Sequence, residues 1–189
     1  MHPRIEEVIN YLDGERAALR DAVEQVPAEL RDKQPGSDRW SVAQVLEHLG
    51  IIEKRVGLGL TKWVSEARDT LGPEADTSSV MNSLPRQLII DRSQRRNAPE
   101  EVRPPGEIDA KRAWEVLEGT RETLRSAFLS GDGLALSEVV QPHPILGPIN
   151  IYQWLLFVGS HEERHTAQIL EIAEQFKAEP GAAAGSAPA

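Results

Sequence analysis

Apolar residues recur along this chain at three- and four-residue intervals in four separate blocks, with charged residues between them, the pattern of amphipathic helices. The first block holds Ile5, Val8, Ile9, Leu12, Leu19, Val23 and Val26, with Glu, Arg and Asp on its other face. It ends before Pro27, and the Pro, Gly, Ser and Asp content up to Arg39 reads as a loop. The second block opens at Ser41-Val-Ala-Gln44, which has the S-x-x-Q form of a capping box. Its stripe is Val42, Val45, Leu46, Leu49, Ile52, Val56 and Leu60, with His48 among them. A helix is expected to about Arg68 in spite of Gly50, Gly57 and Gly59, each of which costs up to about 1 kcal/mol.

Asp109 is the N-cap expected for the third block, Ala113, Trp114, Leu117, Leu124, Ala127 and Phe128, which stops at Gly131-Asp-Gly133. Asn150, with Gln153 three residues on, caps the fourth, which carries Ile151, Trp154, Leu155, Val158, Ile169 and Ile172. Between the second and third blocks the chain has Pro at 73, 85, 99, 104 and 105 and no sustained period beyond a short helix near Leu84 to Ile90. A connection of that length is usually functional or a crossover. No strand pattern and no internal repeat stands out. Four amphipathic helices with one long crossover between the second and third imply an all-α four-helix bundle.

The 189 residues fit one domain, placed at 1–177. The last stretch, AEPGAAAGSAPA at 178–189, is low in complexity and is expected to be a disordered tail. A content of 40% hydrophobic and 27% charged residues is ordinary for a soluble globular protein. No apolar run approaches the roughly 20 residues of a membrane span. The start, MHPRIEEVINYLDGE, has acidic residues where a signal peptide would be apolar, so a cytoplasmic location is expected. The net charge of −9 argues against nucleic acid as a partner. A local basic excess at Arg86, Arg92, Arg95, Arg96 and Arg103 is interrupted by Asp91, Glu100 and Glu101. It reads as a solvated loop, with a dock for a small anion as the alternative. With no cysteine, any transition metal must be held by His, Asp or Glu.

The chemistry is concentrated in the fourth block. Within WLLFVGSHEERHTAQILEI, His161 and His165 stand one helical turn apart, and the seam through Trp154 and Val158 continues into both and on to Gln168. Both histidines are therefore expected to point inward, where an unpaired polar group costs a few kcal/mol. They are either satisfied core histidines or metal ligands. His48 can join them if the second and fourth helices are neighbours and the levels match. Three imidazoles suit zinc, nickel, iron or copper and leave positions for water or substrate, as catalytic sites do.

The residues around them have plainer readings. Glu53 is a flank residue, an inter-helix hydrogen-bond acceptor or a group orienting a ligand histidine. Gln168 is placed to bond a ligand ring or bound water, and His143, between two prolines, reads as a loop-fixing side chain rather than a fourth ligand. Trp40, Trp63, Trp114 and Trp154 read as packing. His161-Glu162-Glu163-Arg164-His165 also matches H-E-x-x-H, the zinc-peptidase motif in which the Glu is the general base. A metzincin would continue with Gly at 168 and His at 171, where this chain has Gln168 and Glu171. Glu162 is accordingly expected at the edge of the seam or in solvent.

Several of these pieces together resemble the DinB family. They are Trp40-Ser-Val-Ala-Gln-Val-Leu-Glu-His48-Leu with Glu53, His143-Pro-Ile-Leu-Gly-Pro148, Tyr152-Gln-Trp154, and His161-Glu-Glu-Arg-His165-Thr-Ala-Gln-Ile169. The resemblance covers nearly the whole chain up to the tail. It implies a bundle in which His48, His161 and His165 bind a divalent ion, commonly nickel or zinc. Some members transfer low-molecular-weight thiols such as bacillithiol or mycothiol. The function expected is thus a metal-dependent transferase or hydrolase that activates a thiol or water, with a non-catalytic metal-binding or stress-response module as the alternative. The partners expected are a small-molecule substrate, by resemblance such a thiol, and a second copy of the chain in a homodimer.

Overall fold

The structure, a computed structural model, describes residues 1–94 and 97–178. Four long helices, α1 (Pro3–Glu24), α2 (Val42–Ala67), α4 (Ala110–Leu129) and α5 (Ile151–Ala178), are joined by irregular chain that includes the single-turn helix α3 (Gln87–Ile90). Their starts are built by the expected caps. Ser41 and Gln44 form a complete capping box, Asp109 accepts from the Arg112 amide, and Asn150 and Gln153 exchange side-chain to backbone bonds of 2.9 and 3.0 Å. At α1, Pro3 occupies the first turn and the His2 ring accepts from the Arg4 amide, a role the sequence reading did not give to His2. Of the expected tail at 178–189, Ala178 ends α5 and the rest lies outside the described residues.

Around the bundle the order is α1, α5, α2, α4, each packing most against its neighbours in that ring. Residue pairings give the directions. Leu12 and Asp13 meet Arg121 and Arg125 while Arg16 meets Glu118, so α1 and α4 are antiparallel. Tyr11 meets Ser160 and Arg16 meets Glu162, so α1 and α5 run the same way. Gly50 faces Val116 and Gly57 faces Leu124, so α2 and α4 are parallel. Two consecutive parallel helices cannot be joined by a tight turn, which is why the chain needs the long crossover between them. That crossover is strapped to the bundle: Glu7 accepts from Ser79 and Val80, and Arg4 donates to Ser78 and Glu74.

A two-stranded antiparallel hairpin, β1 (Val140–His143) and β2 (Gly147–Asn150), precedes α5, where the sequence reading found no strand. The reason is its composition: Pro142 and Pro148 face each other across strands of four residues, so neither β-propensity nor alternation marks them. Gly147 takes a φ of 75°, which favours glycine at the turn. Among the described residues no helix is long and apolar enough to cross a membrane.

The apolar core is split in two. One cluster joins Ile5 to Leu12 of α1 with Val56 to Val64 of α2, Leu124 to Phe128 of α4 and the first two turns of α5. The other joins Leu19 to Val26 with Val42 to Leu49, Ala113, Leu117 and Ile169 to Phe176. Between them lies a charged layer contributed by all four long helices, and the three histidines sit at its edge.

Candidate metal centre

His48 and the pair His161 and His165 face each other because α2 and α5 are antiparallel neighbours whose levels match at this point. The Nε2 atoms of His48 and His161 are 3.3 Å apart, and those of His165 and His161 are 3.2 Å apart. One ligand nitrogen from each ring lies within 4.8 Å of the other two, a set that could hold a metal ion. His48 and His165 are 4% and 7% exposed, whereas His161 is partly exposed and gives the cluster its open side.

The tautomers follow from what the other ring nitrogens touch. His48 Nδ1 lies 2.7 Å from the carbonyl oxygen of Val102, and His165 Nδ1 lies 2.8 Å from Gln168 Oε1. Both partners accept, so each Nδ1 carries the proton and donates it, which leaves a lone pair on Nε2. These two lone pairs converge on His161 Nε2. A proton there satisfies one of them and leaves the other facing a nitrogen, whereas a cation at the centre satisfies all three. The donor set, its orientation and its outer partners therefore fit a divalent ion of the borderline class.

The electrostatics agree. Burial holds the His48 imidazole below its usual pKa, with the Val102 carbonyl opposing. Burial, then mutual repulsion, holds His161 and His165 well below theirs. Neutral imidazole, the form that binds metal, is thus the resting state. Trp40 walls the site, with ring centroids 5.0 Å from His48 and 6.3 Å from His165, and Phe157 stacks on His161 at 5.6 Å.

The other expected residues sort cleanly. Gln168 bonds a cluster ring, one of the roles open to it from its place on the seam. His143 stands apart: it is buried between Trp154 and Phe157, and its Nδ1 accepts from the Ile145 and Leu146 amides, which fixes the hairpin turn. Glu53 is an inter-helix acceptor and makes no bond to the histidines. Trp154 packs on Trp63 at 5.3 Å. Arg86 and Arg92, expected in a solvated loop, instead pair with Glu163 and Glu171 of α5, because the crossover folds back over that helix. Arg95 and Arg96 lie outside the described residues.

Glu162 overturns its expectation. It is 2% exposed, and its two oxygens take Arg16 Nε and Arg121 Nη2, each at 2.5 Å. A position 100° from His161 faces solvent on a lone helix, but here it faces α1 and α4. With both oxygens held by guanidinium groups, Glu162 is poorly placed as the general base of an H-E-x-x-H peptidase. The partner residues Arg16 and Arg121 were missed. The available signal was their position, since Arg16 interrupts the stripe between Leu12 and Leu19, and Arg121 that between Leu117 and Leu124. The Val102 carbonyl had no signal at all, being backbone from a region without a period.

Two helices of a bundle thus carry a three-imidazole cluster that could hold a metal ion. Residues 11–169 match the DinB superfamily, and the chain belongs to that superfamily. It is 28% identical over 151 residues to the Bacillus subtilis (strain 168) protein described as uncharacterized protein YuaE, an alignment that spans 79% of this chain and 86% of that one. No solved structure matches it.

Proposed function

We propose that His48, His161 and His165 bind one divalent ion, nickel or zinc, and that the protein is a metal-dependent transferase or hydrolase acting on a small molecule. The observation that carries this reading is the convergence of two lone pairs, each fixed by its own hydrogen-bond acceptor, on a third imidazole nitrogen. An ion bound there would supply Lewis acidity, enough to bring a water or thiol toward ionisation near neutral pH. The chain's own part is to present three neutral imidazoles, to shield two of them behind Trp40, and to leave the His161 side open for a substrate. A low-molecular-weight thiol is the co-substrate favoured by the superfamily assignment, and the cytoplasm, where such thiols are held reduced, is the compartment that suits it.

The test is metal content followed by turnover. Purified protein should carry close to one divalent ion per chain by elemental analysis. His48→Ala or His165→Ala should abolish this, while His143→Ala should not. Loaded protein should consume bacillithiol, mycothiol or glutathione with an alkyl or epoxide electrophile near pH 7, and His161→Ala should stop it while leaving the helical circular dichroism intact. Equal metal in the wild type and His48→Ala would remove α2 from the site. Metal binding with thiol consumption that does not depend on the ion would leave a non-catalytic metal module.

A further inference from the structure

The charged layer stands against the metal ligands on the same two helices. Glu53 lies on α2 five residues after His48, and Glu162 follows His161 directly on α5. Arg16 of α1 bridges these two carboxylates, with Nε 2.5 Å from Glu162 and Nη2 3.0 Å from Glu53. Arg121 of α4 bridges the same two, through Nε to Glu53 and Nη2 to Glu162 at 2.5 Å. Each guanidinium therefore ties α2 to α5, reaching in from the adjacent helices α1 and α4. Thr120 adds a bond of 3.0 Å to Glu53, and Arg121 also donates to the Leu12 carbonyl.

Two facts raise this above a buried ion pair. A net-neutral charged layer is no more stable than well-packed apolar residues of the same volume, so stability alone does not account for it, and the best-attested use of such groups is to fix register. A narrow cleft of about 10 Å³ is lined by His161 together with Glu53, Glu162, Arg16 and Arg121. It has room for roughly one water. The ligand ring and the carboxylates thus share a wall, and a slide of α5 along α2 cannot move one without the other.

We infer that the Arg16, Glu53, Arg121 and Glu162 quartet is a positioning device for the metal ligands, setting the register of His48 against His161 and His165 and so the affinity for the ion. This rests on the metal-binding reading above. Each member is a positioning residue, since none belongs to the set that could hold the ion.

The full-length protein, stripped of metal, would be titrated with zinc against a chromophoric chelator, and with cobalt while recording its visible spectrum. Glu53→Gln and Glu162→Gln should weaken zinc binding measurably, though by less than the roughly 10- to 100-fold of groups bonded directly to metal ligands, and alter the cobalt bands. Arg16→Lys, which keeps the charge and loses the fork, and Thr120→Val should show the same effect in smaller measure, and they decide the matter if the Glu variants do not fold. Folded variants that melt earlier in the apo form, yet bind zinc with wild-type affinity and give the wild-type cobalt spectrum, would overturn the inference and leave the metal site standing. A wild-type protein that binds neither ion would instead overturn the metal reading, and the inference with it.

Discussion

His161 and Glu162 are consecutive residues on one helix, and each belongs to a buried polar cluster, yet the two clusters are opposites. Around Glu162, two carboxylates meet two guanidinium groups and the charges cancel. Burial alone would lower the pKa of Arg16, but Glu162 and Glu53 outweigh it and hold the guanidinium more firmly protonated than usual. Around His161, among the described residues, no carboxylate pairs with the imidazoles, and burial drives their pKa values down. The first cluster is complete as it stands. The second presents three nitrogens to one another, a set that could hold a cation. Burying polar groups costs free energy in both cases, and the way that cost is offset separates a scaffold from a binding site.

The largest effect is expected from breaking the complete cluster. Arg121→Ala leaves Glu53 and Glu162 with Arg16 alone between them and so one buried negative charge in excess, which costs about 3–5 kcal/mol and lowers the melting temperature by roughly 10 °C for a chain of this size. Thermal unfolding followed by circular dichroism measures it. A fall of only a degree or two would mean that water already shares the layer.

A middle-sized effect is expected from adding an ion to the histidine cluster. A divalent ion at about 100 times its dissociation constant should stabilise the fold by roughly 2.7 kcal/mol. pH should act on this cluster with a definite sign. Each imidazole is harder to protonate in the folded chain than at its ordinary value of 6.5. The unfolded chain therefore binds more protons below pH 6.5, and the apo protein loses stability as pH falls through that value. Melting curves of apo and loaded protein from pH 8 to 5 should fall together, with the increment from the ion shrinking as protons compete for the same nitrogens. An apo melting temperature that rises on acidification through this window would contradict the neutral cluster.

The smallest effect belongs to a carboxylate that neither cluster matches. Glu15 is pushed up to about 7 by burial and by Glu163, with Arg86 at 4.0 Å opposing. Its folded form holds a proton that its unfolded form releases, so its ionisation weakens the fold as pH rises from about 4.5 toward 7. Because Glu15 keeps some contact with solvent, Glu15→Gln should raise the melting temperature by only about 1–2 °C at pH 8. Below pH 4.5 it should change nothing. An equal gain at both pH values would assign the effect to packing rather than charge.

Much of this was legible in the residues themselves, because helix periodicity and capping are local. The stripes of the four long helices, the Ser41 to Gln44 box, the Asp109 cap and the Asn150 to Gln153 pair need only neighbours a few residues away, and all are where their chemistry put them. The one-turn spacing of His161 and His165 is local in the same sense, and His48 declared itself by standing on an apolar stripe. What the sequence could not determine depends on which helices are neighbours and in which direction they run. Glu162 looks exposed on its own helix and is buried because α1 and α4 cover that face. Arg16 and Arg121 acquire a role only when α1 and α4 carry them to the same level as Glu53. The Val102 carbonyl reaches His48 only because the crossover folds back over the bundle. A helix face is written in its own residues, but what lies against it is contributed by chain many residues away, and only tertiary packing brings the two together.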